Sequence, residues 1–108
     1  MYGFKEITAD QLKSLLDSGQ NFHLIDVRSP AEVARGVIAG ARHIPLHLLP
    51  MSIQDLERDR PFVFYCLSGG RSAQAAAFAA AQGAGEVLNL RGGISAWAGR
   101  GFPIVAPD

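Results

Sequence analysis

The sequence predicts an α/β domain, with a mainly parallel central sheet of about five strands and helices on both faces. Three observations lead to this class. Short apolar runs alternate with helix-start signals along the chain. The runs lack polar alternation, as in Phe62-Val63-Phe64-Tyr65-Cys66, so both faces of the sheet should be covered. The length of 108 residues and the 48% hydrophobic content suit a single domain, read here as residues 1–108.

Each element has a local reason. Phe4 to Ile7 reads as a short edge strand. Thr8-Ala9-Asp10-Gln11 has the form of a capping box, and Leu12, Leu15 and Leu16 then recur at helical spacing until Gly19. Phe22 to Val27 is nearly continuous apolar sequence and reads as a buried strand. Ser29-Pro30-Ala31-Glu32 starts a second helix, with Ser29 as cap, Pro30 at the first helical position and Gly36 at the end. Ala41 to Pro45 is a short strand, and Ser52 to Leu56 a weaker helix. After Pro61 comes the strand Phe62 to Cys66, broken by Ser68-Gly69-Gly70. An alanine-rich helix follows from Arg71 to Gln82, stopped by Gly83. Small alanines at 73, 76, 77 and 80 allow it to lie close to the sheet. Glu86 to Leu90 is the last strand, and Gly92-Gly93 turns the chain into a short helix through Ala96 and Trp97.

Composition narrows the function. Formal net charge is zero, so nothing recruits nucleic acid or an anionic membrane surface. The N-terminal stretch from Met1 lacks a basic start followed by an apolar run, and no segment approaches the length of a membrane span. A soluble, cytoplasmic protein is expected. One cysteine leaves no internal disulfide and no thiolate-rich metal site. His23, His43 and His47 do not pair at zinc-site spacing, so no metal and no cofactor are expected.

The informative segment is Tyr65-Cys66-Leu67-Ser68-Gly69-Gly70-Arg71-Ser72. Cys66 ends a strand, where ligands of open α/β sheets bind. Two adjacent glycines let the backbone turn several amides inward as an anion-binding nest. The following helix adds its unpaired N-terminal amides, and Arg71 a fixed cation. All of these favour a thiolate and should hold the Cys66 pKa below the ~8.5 of a free cysteine. The competing reading is an inert core cysteine, and the flanking Ser-Gly-Gly-Arg at a strand-to-helix junction argues against it.

Four stretches together resemble the rhodanese-like domain family. They are Leu24-Ile25-Asp26-Val27-Arg28; Glu32 with Gly36 to Ala41 and Ile44-Pro45; Cys66 to Arg71; and Leu90 through Gly92-Gly93-Ile94 to Ala96-Trp97. They stand in the family's order and cover most of the chain. The resemblance implies a sulfurtransferase. Cys66 would take the outer sulfur of thiosulfate or a similar donor as a persulfide and pass it to cyanide or a thiol. The amides of Leu67, Ser68, Gly69, Gly70 and Arg71 would bind the sulfur anion. Asp26 would fasten the active loop or pair with an arginine such as Arg28. The partners implied are a small-molecule sulfur donor and acceptor, or a sulfur-accepting protein. Related phosphatases place a longer loop between cysteine and arginine than the four residues found here, which suits sulfur better than phosphate. Three positions depart from common family usage: Val37 replaces a frequent histidine, Leu67 a frequent arginine and Ser68 a lysine found in some members.

Glu32 is read as a helix cap ahead of any catalytic part. Arg35, Arg42, Arg91 and His47 are alternatively cleft-lining or solvated. Trp97 is read as a packing anchor. The rival functions are a persulfide carrier acting with a partner protein, a catalytically silent interaction domain, and a phosphatase or arsenate reductase.

Overall fold

A computed structural model describes residues 3–107. Met1 and Tyr2, which open the N-terminal stretch read above for a leader, and Asp108 lie outside the described residues. Five strands form one sheet: β1 (Lys5–Ile7), β2 (His23–Asp26), β3 (Arg42–His43), β4 (Phe62–Tyr65) and β5 (Val87–Leu90), in the order β1-β5-β4-β2-β3. Every neighbouring pair is parallel. The helices are α1 (Ala9–Asp17), α2 (Pro30–Val33), α3 (Leu49–Ser52), α4 (Gly70–Ala81) and α5 (Gly93–Gly99). No described helix is long and apolar enough to cross a membrane.

The pleat explains the apolar runs. Phe62, Phe64 and Cys66 pack with Ala75, Ala76 and Ala79 of α4 and with Leu49 and Ile53. Val63 and Tyr65, one residue out of phase, pack with Leu12 of α1 and with Ile94 and Trp97 of α5. Strands buried on both faces have no reason to alternate with polar residues. Both capping boxes form: Thr8 with Gln11, and Ser29 with Glu32.

Two elements differ from expectation. The Ala41–Pro45 run is a strand only at Arg42–His43, although Ile44 N–H still donates to the Asp26 carbonyl at 3.0 Å and Leu46 N–H to the Val27 carbonyl at 3.1 Å. The helix expected at Ser52–Leu56 begins earlier. A 3-10 turn at Leu46–Leu48 leads into α3, and a second one at Ile53–Asp55 ends the segment. Pro50 occupies the first turn of α3, a position that needs no amide donor. Buried Leu49 and Ile53 anchor the segment to the α4 side of the sheet.

The strand order places the site. The chain leaves β2 toward β3 on one side and leaves β4 toward β5 on the other. The crevice between the carboxyl ends of β2 and β4 is therefore the topological switch point, where open α/β sheets bind ligands. Cys66 follows β4 and Val27 to Ser29 follow β2, so both border it.

Candidate active site

Cys66 follows β4 at the inner edge of this crevice, 1% exposed and packed into the core on the α4 side. Its sulfur is surrounded by donors. The Gly69 N–H donates to Sγ at 3.1 Å, and the N–H and hydroxyl of Ser72 each donate at 3.4 Å. Gly69, with φ of 109°, caps α4 in a left-handed conformation that glycine adopts without strain. That turn aims its N–H at the sulfur while its carbonyl accepts the first helical bond, from Ala73. Burial is the largest single influence on the Cys66 thiol and pushes its pKa up. Hydrogen bonds from the Ser72 hydroxyl and from the amides of Ser72, Gly69 and Ser68 together outweigh it, and the thiol lies below its ordinary value.

The outer side of the loop rests on α5. Ile94 N–H donates to the Cys66 carbonyl at 2.9 Å and Ser95 N–H to the Leu67 carbonyl at 3.1 Å. In a trans peptide the carbonyl and the following N–H point in opposite directions. Drawing these two carbonyls toward α5 turns the Leu67 and Ser68 amides the other way, toward the crevice. The approach is close enough that a Cβ on Gly93 would collide with the Cys66 and Leu67 backbone. The Leu67 and Ser68 side chains are exposed, so this part of the loop contributes main chain to the cradle.

Arg71 stands at the second position of α4, but its guanidinium is not a free cation. It donates to both oxygens of Glu32, at 2.7 and 2.8 Å. The Arg71 bond, more than any other influence, lowers the Glu32 carboxyl to about 2. Glu32 thus caps α2 through Ser29 and also ties α2 to α4 across the crevice. The expected fixed cation is in place, half-exposed and shared with a carboxylate. Beside it a cleft of about 430 Å³ is lined by Val27, Pro30, Pro45, Leu46, His47 and Arg71 among others.

Arg28, which also lines this cleft, forms a buried pair with Asp26. Arg28 donates to Asp26 at 2.7 to 3.1 Å and also to the Gly36 carbonyl at 2.7 Å. Its guanidinium lies 5.7 Å from the centre of the Tyr65 ring. Of the two alternatives for Asp26, the arginine pair is the one formed. Burial, followed by the charge of Asp26, pushes the Tyr65 hydroxyl well up, so it stays protonated and accepts from the Ile38 N–H at 3.1 Å. Arg35 and Arg42 are exposed. Arg91 lies 3.9 Å from Glu6 on the surface, and His47 lines the cleft. Trp97 is buried, its indole N–H donating to the Pro103 carbonyl at 2.8 Å.

Sequence reasoning missed two parts of this arrangement. The Glu32–Arg71 bond spans 39 positions, and no local pattern signals it. Ser72 lies one residue past the expected Leu67–Arg71 cradle, and a hydroxyl in the first turn of a helix after a nest is placed to face back into it.

Comparison with known proteins agrees with the fold. The model of the rhodanese-like domain family matches residues 8–100. A sulfurtransferase of Allochromatium vinosum is 48% identical over 103 residues, covering 95% of this chain and 96% of its own. The thiosulfate sulfurtransferase GlpE of Stutzerimonas stutzeri is 36% identical over 97 residues, covering 90% and 87%. The crystal structure of a rhodanese-related protein from Thermoplasma volcanium matches with a TM-score of 0.84 at 32% identity, covering 94% of this chain and 98% of that one.

Proposed function

The chain belongs to the rhodanese-like domain family, among relatives named as sulfurtransferases, and from that premise we propose that it moves a sulfane sulfur through a persulfide on Cys66. The donor is thiosulfate or a species like it, and the acceptor is cyanide or a thiol. One observation carries the reading: three donors from the Gly69–Ser72 segment converge on the Cys66 sulfur at the carboxyl end of β4.

The chemistry follows from that convergence. The Cys66 thiolate attacks the outer sulfur of thiosulfate. A new S–S bond forms, the old one breaks, and sulfite leaves with the electron pair. The terminal sulfur of the persulfide carries the negative charge, which the loop amides stabilise as an oxyanion hole stabilises oxygen. Cyanide or a thiolate then attacks that terminal sulfur, and Cys66 leaves as thiolate. The Asp26–Arg28 pair ties the end of β2 to the Gly36 turn and stands outside both steps. No metal or cofactor enters.

Sulfur transfer is preferred to phosphoryl transfer because four residues close the loop between Cys66 and Arg71, a ring matched to a single sulfur. Steady thiocyanate release from thiosulfate and cyanide, lost in Cys66→Ala, is expected. Phosphate release from an aryl phosphate without thiocyanate formation would overturn the reading.

A second reading is a persulfide carrier that exchanges sulfur with a partner protein. It is favoured by Leu67, which follows Cys66 and is 46% exposed, an apolar residue presented at the mouth of the site. Persulfide loading without turnover on thiosulfate and cyanide would select it.

A further inference from the structure

Asn89 lies on β5, opposite Glu6 of β1 and Phe64 of β4. Its side chain is 2% exposed. The pleat puts it on the same side as Val87, the α4 face, where the other inward strand residues are apolar. One amide nitrogen serves two carbonyl-type acceptors: Nδ2 donates to Glu6 Oε2 at 3.1 Å and to the Gly69 carbonyl at 3.3 Å. The amide oxygen is left alone. Among the described residues, Asn89 Oδ1 is the one buried side-chain nitrogen or oxygen with no partner. Stranding a buried acceptor is unfavourable, and leucine in its place would avoid that penalty. Retaining asparagine has a reason only if the donor is needed.

We propose that Asn89 is a positioning residue for the Cys66 site: its donation to the Gly69 carbonyl fixes the Gly69–Gly70 peptide so that this carbonyl stays turned away from the sulfur. The assignment rests on the cradle being an anion-binding site, as the proposed function requires. Gly69 and Gly70 both lack Cβ, and a glycine pair can rotate the peptide between them with little steric resistance. After such a rotation the carbonyl oxygen would leave Asn89 and Ala73 and turn toward the Cys66 side of the loop. An acceptor would then stand where an anion needs donors. The Ala73 N–H also holds the Gly69 carbonyl, but that bond belongs to the first turn of α4, where helices fray. Asn89 supplies a second donor from the middle of the sheet, whose position does not depend on the helix end.

The test is the rate of Cys66 alkylation by iodoacetamide as a function of pH, in the intact protein and in Asn89→Leu. Alkylation needs no sulfur transfer, so failure of the sulfurtransferase reading would leave this measurement standing. The midpoint should move up by roughly 0.5 to 1 unit, the size of one ordinary hydrogen bond expressed as a pKa. The melting temperature should not fall in parallel, because leucine also removes the stranded oxygen. Should Asn89→Leu fail to fold, Asn89→Ser, too short to reach Gly69, is read in the same way. A folded variant whose midpoint equals that of the parent would overturn the proposal, whatever its melting temperature.

Discussion

At Cys66 two opposed effects meet, and their balance sets the chemistry. Burial alone would push the thiol pKa up; hydrogen bonds from the Gly69–Ser72 segment outweigh it and hold the thiol below its ordinary value. Ser72 is the side chain among them, so Ser72→Ala should raise the alkylation midpoint of Cys66 by roughly 0.5 to 1 unit. The sign for stability follows from linkage. A thiol whose folded pKa lies below its unfolded value adds stability that is complete above the unfolded ~8.5 and is lost as pH falls through the folded value. Transfer should decline over the same fall. Glu32 titrates far lower, at about 2, so its bond to Arg71 is intact where Cys66 already protonates. The acid limb of the pH–rate profile therefore belongs to Cys66 and should move upward in Ser72→Ala; a limb unmoved by that change would point to another group. The Glu32–Arg71 bond makes a separate forecast. Arg71→Ala strands a carboxylate at the mouth of the cleft and should lower kcat/KM for thiosulfate by roughly tenfold or more, about 1.4 kcal/mol. Glu32→Gln combined with Arg71→Ala removes both charges and should recover part of the loss. Equal losses in the single and double variants would show that Arg71 acts without regard to Glu32.

At the scale of elements, α4 and α5 act on one loop from opposite sides. The first supplies donors to the sulfur, and the second fixes two carbonyls behind it. Gly93 permits that contact, with φ of 60° and no room for a Cβ. Gly93→Ala should push α5 off the loop, and transfer should fall further than the melting temperature alone would explain. The alanines of α4 permit the other contact, on a face turned from the expected one: of Ala73, Ala76, Ala77 and Ala80 only Ala76 is fully buried. Ala75, Ala76 and Ala79 are fully buried against the sheet, so Ala76→Leu should overpack the layer and destabilise by about 1–3 kcal/mol in chemical denaturation. Most elements could be read in the sequence, because their signals are local. Thr8 with Gln11 and Ser29 with Glu32 carry their helix starts within four residues. The apolar run ending at Cys66 marks a central strand. The helical segment from Leu46 to Asp55 starts before the expected Ser52–Leu56, because buried Leu49 and Ile53 and the proline at 50 set its bounds against the sheet rather than against neighbours in sequence.

Across the whole molecule, the parallel order β1-β5-β4-β2-β3 brings the ends of β2 and β4 to one crevice. Residues far apart in sequence meet there. The donors on Cys66 come from within six positions of it; the glycine pair before a helix signals the Gly69 amide, while Ser72 stands one residue beyond the expected Leu67–Arg71 cradle. Glu32 at Arg71 and Asn89 at Gly69 are separated by 39 and 20 positions, and only the sheet order joins them. The buried Asp26–Arg28 pair joins the end of β2 to the Gly36 turn. Asp26→Ala would leave Arg28 charged, buried and unpaired, and should cost about 3–5 kcal/mol in denaturant titration; a loss under 1 kcal/mol would mean that water reaches the guanidinium. The most direct test is the mass of the protein after treatment with thiosulfate and removal of excess reagent. One adduct of about 32 Da, mapped to the peptide containing Cys66 and lost on reduction with a thiol, is expected for a persulfide. A folded protein whose Cys66 stays unmodified, or whose adduct maps to another residue, would contradict it.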